Sequence, residues 1–440
     1  MVGEISPTAR NSLMAPIKDH PNRYALSGEL HARPFPSLSA PSTAVFLSIQ
    51  PSSDPAKRDR SADHRHLVAL LDHYGAPHPG ADATHYYGEM GKYWIKWEQH
   101  TEFVTFTVFS QDVSQRPFDP AEFDVFPDYW LEAVPGGRIT SALLRLMPRP
   151  KEDIQIADQL RDWFVPESLA VATVLEGAAV VATDFRIDPA GHLRIAIFNA
   201  ESTGKRRTGR ILQRLCEIET YKAASMLGFA MVKDMSPQLN RLDGKLTDLM
   251  AQMRGSSAVA EDTLHALLDI SVELETLSVQ SAYRLGATGA YQALVNQRIL
   301  ALRETRFMGR QGFGEFMMRR YEPAMRTVQS SEARLKETSA RAIRASELLR
   351  TRVDVERSAQ NQAILASMDR RADLQLRLQH TVEGLSVVAI SYYAVSLTGY
   401  LLYPLAGVMG MSKGMLISLI TLPVVGAVWW MVRRLRKRLG

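Results

Sequence analysis

The chain has 440 residues, a formal net charge of +5 and a single cysteine, Cys216. That length suffices for two soluble regions and a membrane part. Five basic residues near the C-terminus (Arg433, Arg434, Arg436, Lys437 and Arg438) equal the whole net charge, so it is no argument for nucleic acid; one cysteine excludes an intrachain disulfide and suits a reducing cytoplasm.

Residues 1–40 are Pro-rich and read as an extended arm. Glu4, Pro7 and Pro16 interrupt the start, so no signal peptide is expected. Residues 41–200 carry period-2 and β-branched patterns. Strands are expected at Thr43–Ile49, Tyr93–Trp97, Glu102–Phe109 and Ile139–Leu146. A meander follows over Leu169–Leu175, Ala178–Asp184 and Leu193–Phe198, turned at Glu176-Gly177 and at Asp188-Pro189-Ala190-Gly191. Helices fit Ala62–Tyr74 and Glu152–Phe164. Together these predict an α+β cytoplasmic domain with a largely antiparallel sheet.

From residue 201 the period becomes helical. Stripes run through Ile211, Leu215 and Ile218, then Leu239, Leu242, Leu246 and Leu249, then Leu264, Leu267, Leu274 and Leu277, and finally Tyr291, Leu294 and Leu302. Gly309, Gly312, Gly314 and Pro323 end this region of long helices at about residue 322. Ala324–Glu383 then runs 60 residues without Gly or Pro, a stalk helix over 323–383 that would be about 90 Å long. Its seam (Met325, Val328, Leu335, Ala342, Leu349, Val353, Ala363 and Leu374) is thin, so it needs partner helices from the same chain or from a homo-oligomer.

Residues 384–432 contain one charge, Lys413. Leu385–Tyr403 and Met415–Val432 have the length of two transmembrane helices, and backbone satisfaction in lipid requires helices. Basic residues flank both spans, which predicts N- and C-termini in the cytoplasm of a bacterial inner membrane, with the turn at Lys413 outside. Tyr400, Tyr403, Trp429 and Trp430 suit the interfacial belts, and the basic tail 433–440 suits the lipid surface. Ser391 and Thr398, seven apart on one helix face, are the candidate polar pore face; interhelical hydrogen bonding is the plainer reading.

Candidate chemistry is sparse. Glu98, His100 and Glu102 alternate, so a strand would point all three to one face, and Glu29, His31 and Arg33 form a second alternating set. His31, Glu98, His100 and Glu102 are the candidate ligands for a divalent metal; otherwise they make a polar face that clasps the N-terminal arm. No other cofactor is expected. His64, His66, His73 and His78 match no zinc spacing and read as surface histidines. Thr203-Gly204-Lys205-Arg206 lacks the upstream Gly and the following Ser/Thr of a P-loop. Glu217 and Glu219 read as partners in intrachain salt bridges.

The segments "ELHARPF" (29–35), "KWEQHTEF" (96–103), "TGRILQRLCEIETYK" (208–222) and residues 348–393 resemble a bacterial family of uncharacterised membrane-anchored proteins with a domain of unknown function. That resemblance spans nearly the whole chain and implies the anchor topology, with no activity. Gly410-Met411-Ser412 is loosely similar to the Gly-Met-Asn of CorA-type divalent-cation channels, but the third residue differs and the turn carries Lys413 where an acidic residue would gather cations. The expected function is a non-enzymatic scaffold or sensor at the bilayer. A CorA-like conductor and a metal-dependent enzyme are the alternatives.

Overall fold

A computed structural model describes residues 17–29, 35–50, 58–253, 260–408 and 412–439. The chain divides into two compact units. The first is Met1–Leu249 with Leu268–Ile343, and the second is Met250–Leu267 with Arg344–Gly440.

The first unit is built on a nine-stranded sheet. After a short helix α1 (Arg23–Glu29) come β1 (Ser42–Gln50), α2 (Arg60–His73), β2 (His85–Met90), β3 (Tyr93–Gln99) and β4 (Val104–Ser110). Next are α3 (Asp128–Glu132), β5 (Gly137–Pro148), α4 (Asp153–Trp163), β6 (Ala170–Val174), β7 (Ala179–Thr183) and β8 (Leu193–Asn199). The spatial order is β2-β3-β4-β1-β5-β8-β7-β6-β9, where β9 is Thr305–Arg306. Val45 of β1 lies opposite Val108 of β4 and Leu143 of β5, both antiparallel. Only β5 with β8 is parallel among these pairs, so the sheet is largely antiparallel. The expected meander is β6–β7–β8. Its first turn sets Glu176 at φ 53° and Gly177 at φ 88°, a left-handed path that glycine takes without strain. The α+β expectation therefore holds, with two strands added. β2 was not visible in the sequence, and β9 reaches the sheet from beyond residue 201.

One sheet face is apolar. Val45, Leu47, Ile95, Trp97, Phe106 and Leu143 pack with Leu67, Leu70 and Leu71 of α2 and with Ile156 and Leu160 of α4 in one buried cluster. The alternation seen in sequence is this face. His66 belongs inside and is not the surface residue expected. It is buried, its ring is stacked on Trp130 at 3.9 Å, and Nε2 has no hydrogen-bond partner.

Burial pushes the His66 pKa down from 6.5 to about 4. Between those values the unfolded chain binds a proton that the folded chain refuses. His66 therefore favours folding fully above about pH 6.5, and its contribution is lost as pH falls toward 4. His66→Phe, which keeps the stack, should flatten the acid side of the stability profile. Urea midpoints at pH 7, 6, 5 and 4.5 measure this, and a slope equal to wild type would remove His66 from the account.

Two long helices follow, α5 (Lys205–Gln252) and α6 (Ala260–Leu302), then α7 (Phe313–Arg320) and α8 (Glu322–Val408). Pro323 sits in the first turn of α8, where its missing N–H costs nothing. Within the first unit Met325, Val328, Leu335 and Ala342 of α8 are buried. Arg334 bonds Asn240 and Asp243 of α5, and Gln329 bonds Gln292 of α6. These are the partner helices that the thin seam required.

In the second unit, Leu349 and Val353 of α8 remain buried, and Arg352 and Arg357 reach Met253 O and Glu261. Beyond that the seam stops. Residues 357–382 are all exposed, Ala363 and Leu374 among them. Helix α9 (Lys413–Leu439) ends the chain, with Leu416 and Ile420 packed against Leu402 and Val424. The far part of α8 and α9 are long and apolar enough to cross a membrane. Their apolar windows are only 6% and 11% buried, whereas a core hairpin of a soluble protein would bury them.

Candidate functional site

The second face of the sheet is polar where β3 and β4 meet α5. Lys96 and Glu98 of β3 and Thr105 and Thr107 of β4 lie against Gln213, Cys216, Glu217 and Thr220 of α5 around a cavity of about 30 Å³, the volume of about one water. Two of the segments singled out in the sequence meet here. Residues 96–103 supply one wall and 208–222 the other. Pro36, next to the "ELHARPF" segment, closes an edge. Gly209 permits that approach, because a Cβ there would lie 1.7 Å from the Pro36 carbonyl oxygen.

A chain of polar contacts crosses the junction. Lys96 Nζ pairs with Glu98 Oε1 at 3.1 Å and donates to Gln213 Oε1 at 2.7 Å. Gln213 Nε2 donates to Glu217 Oε1 at 2.8 Å, and Glu217 is also paired with Arg298 of α6. A second tie runs from Arg284 Nη1 of α6 to Glu102 Oε2 at 2.6 Å, with Glu102 only 2% exposed. Beside it, Tyr221 and Tyr291 stack at 5.8 Å and Phe103 lies 6.0 Å from Tyr291. Buried charges stay in place when paired and hydrogen-bonded like this. The expected intrachain pairing of Glu217 and Glu219 is present, with Arg298 and Lys222 as their partners.

The chemistry of this junction is restrained. Cys216 is buried, and burial pushes its thiol well above the ordinary range, away from the thiolate a nucleophile or metal ligand needs. Burial likewise raises the Tyr291 phenol. What the arrangement does physically is lock the sheet to α5 and α6.

The four candidate metal ligands fare differently. His31 lies outside the described residues, as does Arg33; of Glu29 only the backbone is described. Strand β3 ends at Gln99, so Glu98, His100 and Glu102 do not share a strand face. Residues 100–103 instead form the β3–β4 turn, in which His100 N–H donates to Phe103 O at 2.9 Å. Glu98 and Glu102 each hold a cation of the same chain, and the His100 ring lies 4.6 Å from that of Phe103. Among the described residues, no group of three or more His, Cys, Asp or Glu is placed to hold a metal ion. Gln213, Arg284, Tyr291 and Arg298 complete the junction; Gln213 lay in a segment singled out in the sequence and Tyr291 in a helical stripe, whereas Arg284 and Arg298 had no signal there.

In the hairpin, Tyr400, Tyr403, Trp429 and Trp430 are exposed. Arg433 and Arg434 each sit 5.0 Å over the rings of Trp429 and Trp430, an aromatic-basic pairing suited to a polar–apolar boundary. Arg436, Lys437 and Arg438 continue α9, but their side chains lie outside what is described. The two pore-face candidates differ. Thr398 donates to Ala394 O at 2.7 Å, while Ser391 is buried with its hydroxyl unpartnered. Gly410 and Met411 of the CorA-like turn lie outside the described residues.

A family model described as a protein of unknown function (DUF3422) matches residues 18–439. No curated protein matches the chain, and no solved structure does.

Proposed function

This chain belongs to that family of proteins of unknown function, and from that premise we propose that it is a membrane-anchored scaffold or sensor without catalysis. In this reading the hairpin of α8 and α9 holds the sheet-and-helix unit at the cytoplasmic face of a bacterial inner membrane. One observation carries it. Helix α8 buries its seam from Met325 to Val353, while the apolar stretch of the same helix is bare. Such a bare apolar surface needs a covering, and a bilayer is the covering that its length and basic flanks suit. The carboxylates of the junction support the non-catalytic half of the proposal, since ion pairs within the chain already occupy Glu98, Glu102 and Glu217.

The full-length protein should remain with membranes through sodium carbonate extraction, and a chain ending at Glu383 should not. Lys413→Cys in a Cys216→Ser background should react with an impermeant thiol reagent added to intact cells. A cysteine added at the C-terminus should not react. Extraction of the full-length chain would defeat the anchor, and the opposite labelling pattern would reverse the orientation. Full-length protein in liposomes should pass no Mg²⁺; a sustained flux would replace the scaffold with a conductor.

A further inference from the structure

We propose that the groove between the hairpin helices binds one anionic phospholipid, with its phosphate at Lys413 and one acyl chain along the apolar walls. The proposal rests on the membrane reading above. The groove encloses about 820 Å³, within the range of specific small-molecule sites. Val388, Val395 and Gly399 of α8 form one wall, and Leu416, Ile417 and Val425 of α9 form the other.

The groove's charge is one-ended. Lys413 lines it with Nζ 5.6 Å from the centroid of the Tyr403 ring, and it is the single charged residue in positions 384–432. Toward Ser391 the lining carries no charge: Val387, Val388, Val395 and Val425 are apolar, Ser391 and Ser396 are small and neutral, and the hydroxyl of Thr421 is already bonded to Ile417 O at 2.7 Å. Ser391 and Tyr403 are 12 residues apart on one helix, or about 18 Å. That is slightly more than half of a hydrocarbon core of about 30 Å, so the groove has the depth of one leaflet. A cation at the headgroup level above a one-leaflet apolar slot is complementary to an anionic head and a single chain. A helix of a second copy would fill the slot without answering the charge of Lys413.

The test uses full-length wild type, Lys413→Gln and Val395→Phe in nanodiscs of equal phosphatidylglycerol and phosphatidylcholine, with retained lipid counted by native mass spectrometry. Arg433 and Arg434 are unchanged throughout, so their contribution cancels. Wild type should retain one phosphatidylglycerol per chain with about fivefold preference, the size expected of one basic residue near an anionic surface. Lys413→Gln should lose the preference, and Val395→Phe, which fills the slot, should lose the lipid. Equal retention of the two lipids, a preference unchanged in Lys413→Gln, or a lipid-free dimer would overturn the proposal. So would failure of Val395→Phe to displace lipid. A wild-type protein that does not enter nanodiscs would defeat the membrane reading itself, and the site with it.

Discussion

Arg284→Leu should destabilise the sheet-and-helix unit by about 3–5 kcal/mol, the usual result of removing one partner from a buried ion pair. Glu102 is 2% exposed and its carboxylate lies 2.6 Å from the guanidinium. Without Arg284 that charge stays buried beside Phe103 and Tyr291 with its main partner gone. The double variant Arg284→Leu with Glu102→Leu should recover most of the loss, because a buried pair exchanged for apolar side chains is often neutral. Urea unfolding of the full chain in detergent, followed by tryptophan fluorescence, measures all three. A single variant no less stable than the double would show that the pair does not hold α6 to the β3–β4 turn.

Gly228→Ala should cost about 1–3 kcal/mol or more, as overpacking does when backbones must part. A Cβ at this position of α5 would lie 2.1 Å from Thr288 Oγ1 and 2.9 Å from Thr288 Cβ. Thr288 cannot easily turn away, since its hydroxyl donates to Arg284 O at 2.8 Å. Widening the α5–α6 contact there also draws on Arg284, one turn along the same helix, so the two substitutions should be non-additive. Thr288→Gly added to Gly228→Ala should restore much of the thermal midpoint. If Gly228→Ala alone melts at the wild-type temperature, the close crossing is not a constraint.

Particular residues show how far the sequence reached. Thr43–Ile49 and Tyr93–Trp97 were legible as strands because one face of each packs into the apolar cluster, which leaves a period-2 signature. The seam of α8 was legible for the same reason, as far as Val353. β2 was not legible. Its sequence His-Tyr-Tyr-Gly-Glu-Met sits half-buried at a sheet edge, where no strict alternation is demanded. The run Glu98–Glu102 misled, because alternation is informative only while the chain is extended, and β3 turns after Gln99.

The α+β composition, the long helices and the uncharged hairpin were all readable along the chain, since burial face and apolar length are local properties. The polar junction exists only in the folded chain. Lys96 meets Gln213 across 117 residues, Glu217 meets Arg298 across 81, and Glu102 meets Arg284 across 182. A charged residue carries no mark of its distant partner. Only the packing of β3, α5 and α6 removes these groups from water and leaves each with the other.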